Sequence, residues 1–322
     1  MTGRPGARWY PRRGSAVAVQ DPLFDLAIRP EARYYRQILD ALTRSGFATR
    51  PPLEAELLVS KLFGTVWAGQ AERDGAAEEA FGLGLAEFVR QRHDPDAEAL
   101  LRTLAAIAPV RQLRAVPPPL PGRCWAFEDV YGDHVTVVCE LAGVALVVLV
   151  DHARLSVAVD AMLTDDVETL IRDLTTDART SEDVLTLRQV EPGWAGAVLA
   201  RAFARTDLDH AAVTAGFRDL RALALARIEA LPADWHPPPP PSFLPDFAAG
   251  PLATFFARYQ PEPAVRVGPG RWEVFVESLR SVPPGLPALA RSFNAWAVTH
   301  LNLPPRALAE LDSVLDELLP LS

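Results

Sequence analysis

Lysine is nearly missing from this chain: Lys61 is the only one among 32 basic residues, and the others are arginine. Cysteine is almost as scarce. Cys124 and Cys139 make no CxxC pair and have no companions at zinc-ligand spacing, so nothing points to a metal-stapled or disulfide-framed fold. Cys139 falls inside an apolar strand pattern, where a thiol acts as a small hydrophobe. The longest apolar run, Leu141 to Val150, is far short of the roughly 20 residues that cross a bilayer. The first residues lack the apolar stretch of a signal peptide. Both absences point away from a membrane and toward the cytoplasm. A cationic excess is lacking too: the net charge is −9, against general nucleic-acid binding, which needs a broad basic face.

Signatures of phosphate and nucleophile chemistry are also missing. There is no GxxxxGK[ST] loop and no GxSxG elbow. Gly82 and Gly84 stand in a helical pattern, not after a strand, so they make no dinucleotide fingerprint. No HxH, HExxH or strand-borne DxD occurs, and no cofactor is implied.

What is present is globular composition, 49% apolar and 8% aromatic over 322 residues, enough for one large domain or two modest ones. Residues 1–30 read as an extended arm. The first 50 residues carry nine arginines against Asp21, Asp25, Glu31 and Asp40, which leaves −14 on the remainder. Helical periodicity then predicts four helices. Glu31–Ser45 carries Tyr34, Ile38, Leu39 and Leu42, and Gly46 ends it. The second follows Pro51-Pro52, with Leu53, Leu57, Leu58, Leu62 and Phe63 as its apolar face and Trp67 beyond. The third is Ala76–Gln91 and the fourth Asp96–Ala108, capped by Asp94 with Pro95 at its first position.

After Pro117–Pro119 and Pro121-Gly122 the period changes to two. His134–Leu141, Val144–Asp151 and Leu155–Met162 read as three strands, the first pair joined by the tight turn Ala142-Gly143. The middle strand is apolar on both faces, so helices should cover it. Asp165 or Asp166 caps a following helix, Thr186–Val190 is a fourth strand, and Trp194–Arg205 and Ala211–Ala230 are helices. Pro237–Pro241 is a polyproline rod whose flanking Trp235, Phe243 and Phe247 favour a strap on the protein's own surface. Beyond it come a helix near Leu252–Tyr259, a strand-like Arg271–Val276, and helices Pro287–Leu301 and Pro304–Leu319.

Chemistry concentrates at the open end of the hairpin. Counting out from the turn sets His134 opposite Asp151, close enough to bond across the strands. His152 and Asp160 point to the other face, and Glu128, Asp129 and Asp133 lie just before the first strand. Histidines and carboxylates so placed suit a general base with its orienting acid, or a divalent cation. They equally suit a structural bond that satisfies polar groups at the sheet edge.

Four segments, Asp21–Leu26, Pro51–Trp67, Glu128–His134 and Leu146–Ala161, resemble a family of proteins from high-GC Gram-positive (actinobacterial) bacteria that has no assigned activity. The arginine bias and abundant Ala, Pro and Val agree with such a source. The resemblance covers roughly the first half of the chain and implies no catalytic residues.

The expected fold is α+β, mainly helical, with a small central antiparallel β-meander packed against helices. Its parts are a basic arm (1–30), a helical subdomain (31–116), the meander with helices (120–231), a proline-rich strap or linker (232–250) and a C-terminal, mainly helical segment (251–322). The expected function is a non-catalytic interaction or regulatory role with a protein partner or self-association. The alternative is a metal-assisted or acid–base hydrolase using His134, Asp151, His152 and Asp160.

Overall fold

A computed structural model of the chain describes residues 32–70, 75–114, 121–141, 143–181, 184–209, 211–232, 235, 252 and 266–319. The basic arm, the polyproline run, His210, His236 and, apart from Leu252, the helix expected near 252–259 lie outside the described residues, as do Pro117–Pro119.

Four helices come first: α1 (Ala32–Arg44), α2 (Pro52–Ala68), α3 (Ala76–Arg90) and α4 (Pro95–Ile107). Their ends follow local chemistry. Gly46 takes the left-handed conformation just past α1, and the Asp94 side chain accepts a hydrogen bond from the Ala97 N–H at 2.8 Å to cap α4. The buried stripe of α1 is Tyr35, Ile38, Leu39 and Leu42, so Tyr35 takes the place expected of Tyr34. The last turns of α2 are buried on every side, Ser60, Gly64 and Thr65 included.

The fold is mainly helical, and its one sheet among the described residues has five strands, all antiparallel: β1 (Pro121–Asp129), β2 (His134–Leu141), β3 (Val144–Asp151), β4 (Val157–Thr164) and β5 (Leu185–Val190). The spatial order is β4-β3-β2-β1-β5, so the meander is extended by a strand that returns to pair with β1. Helix α5 (Val167–Thr180) lies between β4 and β5 in the chain, capped by Asp166. Helices α6 (Pro192–Leu208) and α7 (Ala215–Ile228) follow β5.

Both faces of the sheet are covered, as the apolar β3 requires. Val135, Val137, Cys139, Leu146, Val148 and Val150 join one core with α1–α4, α6 and α7. On the opposite face Trp125, Val138, Ala145 and Val147 pack on Val167, Leu170, Ile171 and Leu174 of α5. The tightest helix contact joins α2 to α7: a Cβ on Gly64 would lie 2.0 Å from the Arg218 carbonyl oxygen, so only glycine allows the approach.

A second core is built by α8 (Pro269–Glu277), α9 (Leu286–His300) and α10 (Arg306–Leu318) around Trp272, Phe275, Phe293, Leu311 and Leu315. It also takes in Tyr131 from the β1–β2 loop, with Leu155 and Val184 at its border, so it sits against one end of the sheet.

Three expectations need correction. Pro121–Asp129 is a strand, not part of a break, because Cys124–Glu128 ladder with β2 and β5 at once. Arg271–Val276 is helix, not strand: Pro269 opens α8 and the Asp133 carboxylate, distant in sequence, receives its Gly270 N–H. The third strand begins at Val157, two residues late, because Leu155 and Ser156 adopt left-handed backbone and complete the turn.

Candidate functional site

The register places His134 opposite Asp151, as the count from the turn requires. The imidazole Nε2 is 3.8 Å from Asp151 Oδ1, and Nδ1 is 3.5 Å from Asp129 Oδ2 on the neighbouring strand end. His134 thus stands between two carboxylates, with its side chain 39% exposed. Burial works to lower its pKa, but hydrogen bonding to Asp129 and the charges of Asp151, Asp129 and Asp133 outweigh it, and the imidazole titrates above its ordinary value.

The carboxylates have other tasks. Asp129 accepts the backbone N–H groups of Asp133 (3.0 Å) and His134 (2.8 Å), which closes the β1–β2 loop. Burial would raise its pKa, but these bonds and the imidazole leave it below the usual range. Asp151 accepts the Arg154 N–H at 2.9 Å and so pins the β3–β4 turn.

Asp133 is the deepest member. It is buried and accepts the Gly270 N–H at 2.8 Å, at the start of α8, where backbone donors and the helix dipole favour an anion. Its Oδ1 lies 3.1 Å from Nε of the buried Arg271, an ion pair without a well-aligned hydrogen bond. Burial, then the charge of Asp129, push its carboxyl up to about 7 against the pull of Arg271 and His134. The Arg271 guanidinium and that of Arg266 both donate to the Gly132 carbonyl, at 3.2 and 3.3 Å. Gly268 is fitted to this joint, since a Cβ there would fall 2.3 Å from the Asp133 carboxylate.

His152 and Asp160 do not join the His134–Asp151 pair. His152 is buried in the β3–β4 turn; its Nδ1 is 2.8 Å from Ser156 Oγ, and its backbone N–H donates to the Asp133 carbonyl at 2.7 Å. Asp160 sits beside the irregularity in β4, bonded to the Thr214 hydroxyl at the cap of α7 and to the Ala161 N–H. Sequence reasoning missed Arg271 and Ser156. Only the Arg-Trp pair after Gly268-Pro269-Gly270 marks the first, and nothing local marks the second.

A second buried cluster ties the helices together. Arg221 on α7 grips Glu78 on α3 with bonds of 2.8 and 2.9 Å and Asp207 on α6 with bonds of 2.7 and 3.2 Å. Trp67 on α2 donates its indole N–H to Asp207 at 2.8 Å, with the Arg221 guanidinium 5.0 Å above its ring. Burial pushes the Glu78 carboxyl up to about 7 against the attraction of Arg221.

Among the described residues no three His, Cys, Asp or Glu side chains are arranged to hold a metal ion, and no helix is long and apolar enough to cross a membrane. The chain matches no family model, no curated protein and no solved structure.

Proposed function

We propose that the protein acts by binding another polypeptide, a protein partner or a second copy of itself, and not by turning over a substrate. The observation that carries this reading is the engagement of Asp133: the most buried acid of the cluster is tied to Arg271 and to the first turn of α8. Three of the four candidates are engaged as well, His152 with Ser156, Asp160 with the cap of α7 and Asp151 with the Arg154 N–H. A catalytic acid or base must meet the substrate's proton within hydrogen-bond reach. Groups that fasten the chain to itself serve a rigid binding scaffold better. The arginine bias and the four resembling segments suit a high-GC Gram-positive source, and the two free cysteines suit the cytoplasm.

Native mass spectrometry of the protein purified from its own host tests this. The expected species is a stoichiometric complex with a second polypeptide, or a dimer, that persists in the His134→Gln variant. A monomer holding a small molecule or metal that His134→Gln releases defeats the reading.

One observation favours the second reading, an acid–base hydrolase. His134 is partly exposed between two carboxylates, and Leu155 and Ser156 nearby in the β3–β4 turn hold left-handed backbone, a strain that gathers at functional sites. In that reading His134 is the base, oriented by Asp129 and Asp151. Release of a bound ligand by His134→Gln, with unchanged melting temperature, is its signature.

A further inference from the structure

The sheet brings the chain's two cysteines face to face. Cys124 on β1 and Cys139 on β2 are register partners, fully buried on the face that meets the main core. Directly opposed residues on one face of an antiparallel pair have Cβ atoms roughly 4.5–5.5 Å apart. A disulfide needs about 3.5–4.5 Å. The gap is small, and β1 is irregular at this point: Pro121 pairs with Leu141 and Cys124 with Cys139, so β1 uses one residue more than β2 between the two pairs. A bulge of this kind bends the strand and loosens the ladder locally. The thiols already interact. A hydrogen bond with Cys139 holds the Cys124 thiol below its ordinary value, and the same bond, then burial, push Cys139 well above.

We propose that Cys124 and Cys139 form a redox-responsive dithiol, which a small-molecule disulfide oxidises to a cross-strand disulfide between β1 and β2. Cys124, as the thiolate, attacks one sulfur of the oxidant. The oxidant's S–S bond breaks, its first half leaves and takes up the proton that Cys124 gave up, and a mixed disulfide remains on Cys124. Cys139 then loses its proton and attacks the Cys124 sulfur. The intramolecular S–S bond forms and the second half leaves as a thiol. The protein surrenders two electrons and two protons, and the oxidant becomes two thiols.

Two features make this pair a defined device. The chain has no third cysteine, so there is one intramolecular product and nothing to reshuffle it. Both thiols are buried, so the reaction waits on local opening at the irregular end of β1. The bond would then fasten an interior strand pair of the sheet.

The test uses the full chain, exposed to excess oxidised glutathione at mildly alkaline pH, then quenched in denaturant with N-ethylmaleimide and weighed intact. The expected product takes up no maleimide, is lighter by two hydrogens, yields one cross-linked peptide pair and recovers both thiols in dithiothreitol. It should melt roughly 5 °C higher than the reduced protein. Two maleimide adducts after long exposure, also in urea below the unfolding transition, overturn the proposal. Glutathione on both cysteines overturns it as well. Removal of the second sulfur should arrest the reaction at one glutathione on Cys124. Cys139→Ser and Cys139→Ala are both used, since a core hydroxyl can disturb folding where a methyl does not, and Cys124 left unmodified in both refutes the relay.

Discussion

Two buried arginines hold this molecule together, and they do so differently. Arg221 lies among helices and engages two carboxylates with its fork, Glu78 and Asp207, each bond well aligned and the guanidinium covered by Trp67. Arg271 lies where the second core meets the sheet, with Asp133 as its acid partner at 3.1 Å and the Gly132 carbonyl as an acceptor. A buried charge without its partner costs far more than the pair contributes. The first cluster therefore acts as a bolt through the main core, and the second as a latch between two cores.

Removing the bolt should have the largest effect. Arg221→Ala strands Glu78 and Asp207 and should cost about 3–5 kcal/mol of global stability, read from the urea midpoint at constant slope. Arg271→Ala should cost about 3 kcal/mol but act locally. Its expected signature is lost hydrogen-exchange protection in α8–α10 with α1–α4 unchanged, and equal loss in both regions would erase the distinction between bolt and latch.

Acidity sharpens the comparison because each cluster holds a carboxyl raised to about 7. A carboxyl whose folded pKa exceeds its unfolded value stabilises the fold below the unfolded pKa, and that contribution disappears as pH rises through 7. His134, also raised, has the same sign: its contribution is complete below the ordinary imidazole value and is lost above the folded one. Stability should thus fall by about 1 kcal/mol per carboxyl between one unit below and one unit above pH 7. Glu78→Gln and Asp133→Asn should each remove a share of that slope, and a urea midpoint that rises with pH would contradict both assignments. The smallest effect belongs to His134→Ala. Its imidazole is partly exposed and its carboxylate contacts are long, so the loss should stay below about 1 kcal/mol by thermal melting.

The sheet was largely legible from the sequence. Strict alternation and a two-residue turn fixed the partners of β2 and β3, down to His134 opposite Asp151, and two-sided apolarity called for helices on at least one face, where the structure has them on both. The helix caps at Asp94 and Asp166 were legible because a cap is read within four residues. What escaped depends on distant partners. β1 starts at a Pro-Gly pair that reads as a break, and the β2 and β5 ladders override it. The alternation in Arg271–Val276 imitates a strand, yet Asp133 caps that segment as a helix from far away in the chain. The partner of Asp160 was hidden as well: beside the irregularity in β4 it bonds Thr214, more than fifty residues on. The opposed cysteines were hidden for the same reason as β1: without that strand Cys124 has no register.

The strand order has a consequence for how the chain assembles. β1 to β4 are joined by brief connections, so their pairings close small loops and form cheaply. β5 must cross α5 before it can reach β1, and it pairs with the strand that entered the sheet first. Refolding should therefore run in two stages: hairpin contacts from Pro121 to Thr164 arise early, and the outer side of β1 stays open until Leu185–Val190 arrives. During that interval the unpaired flank of β1 is a second open edge, beside that of β4, at which another chain can pair.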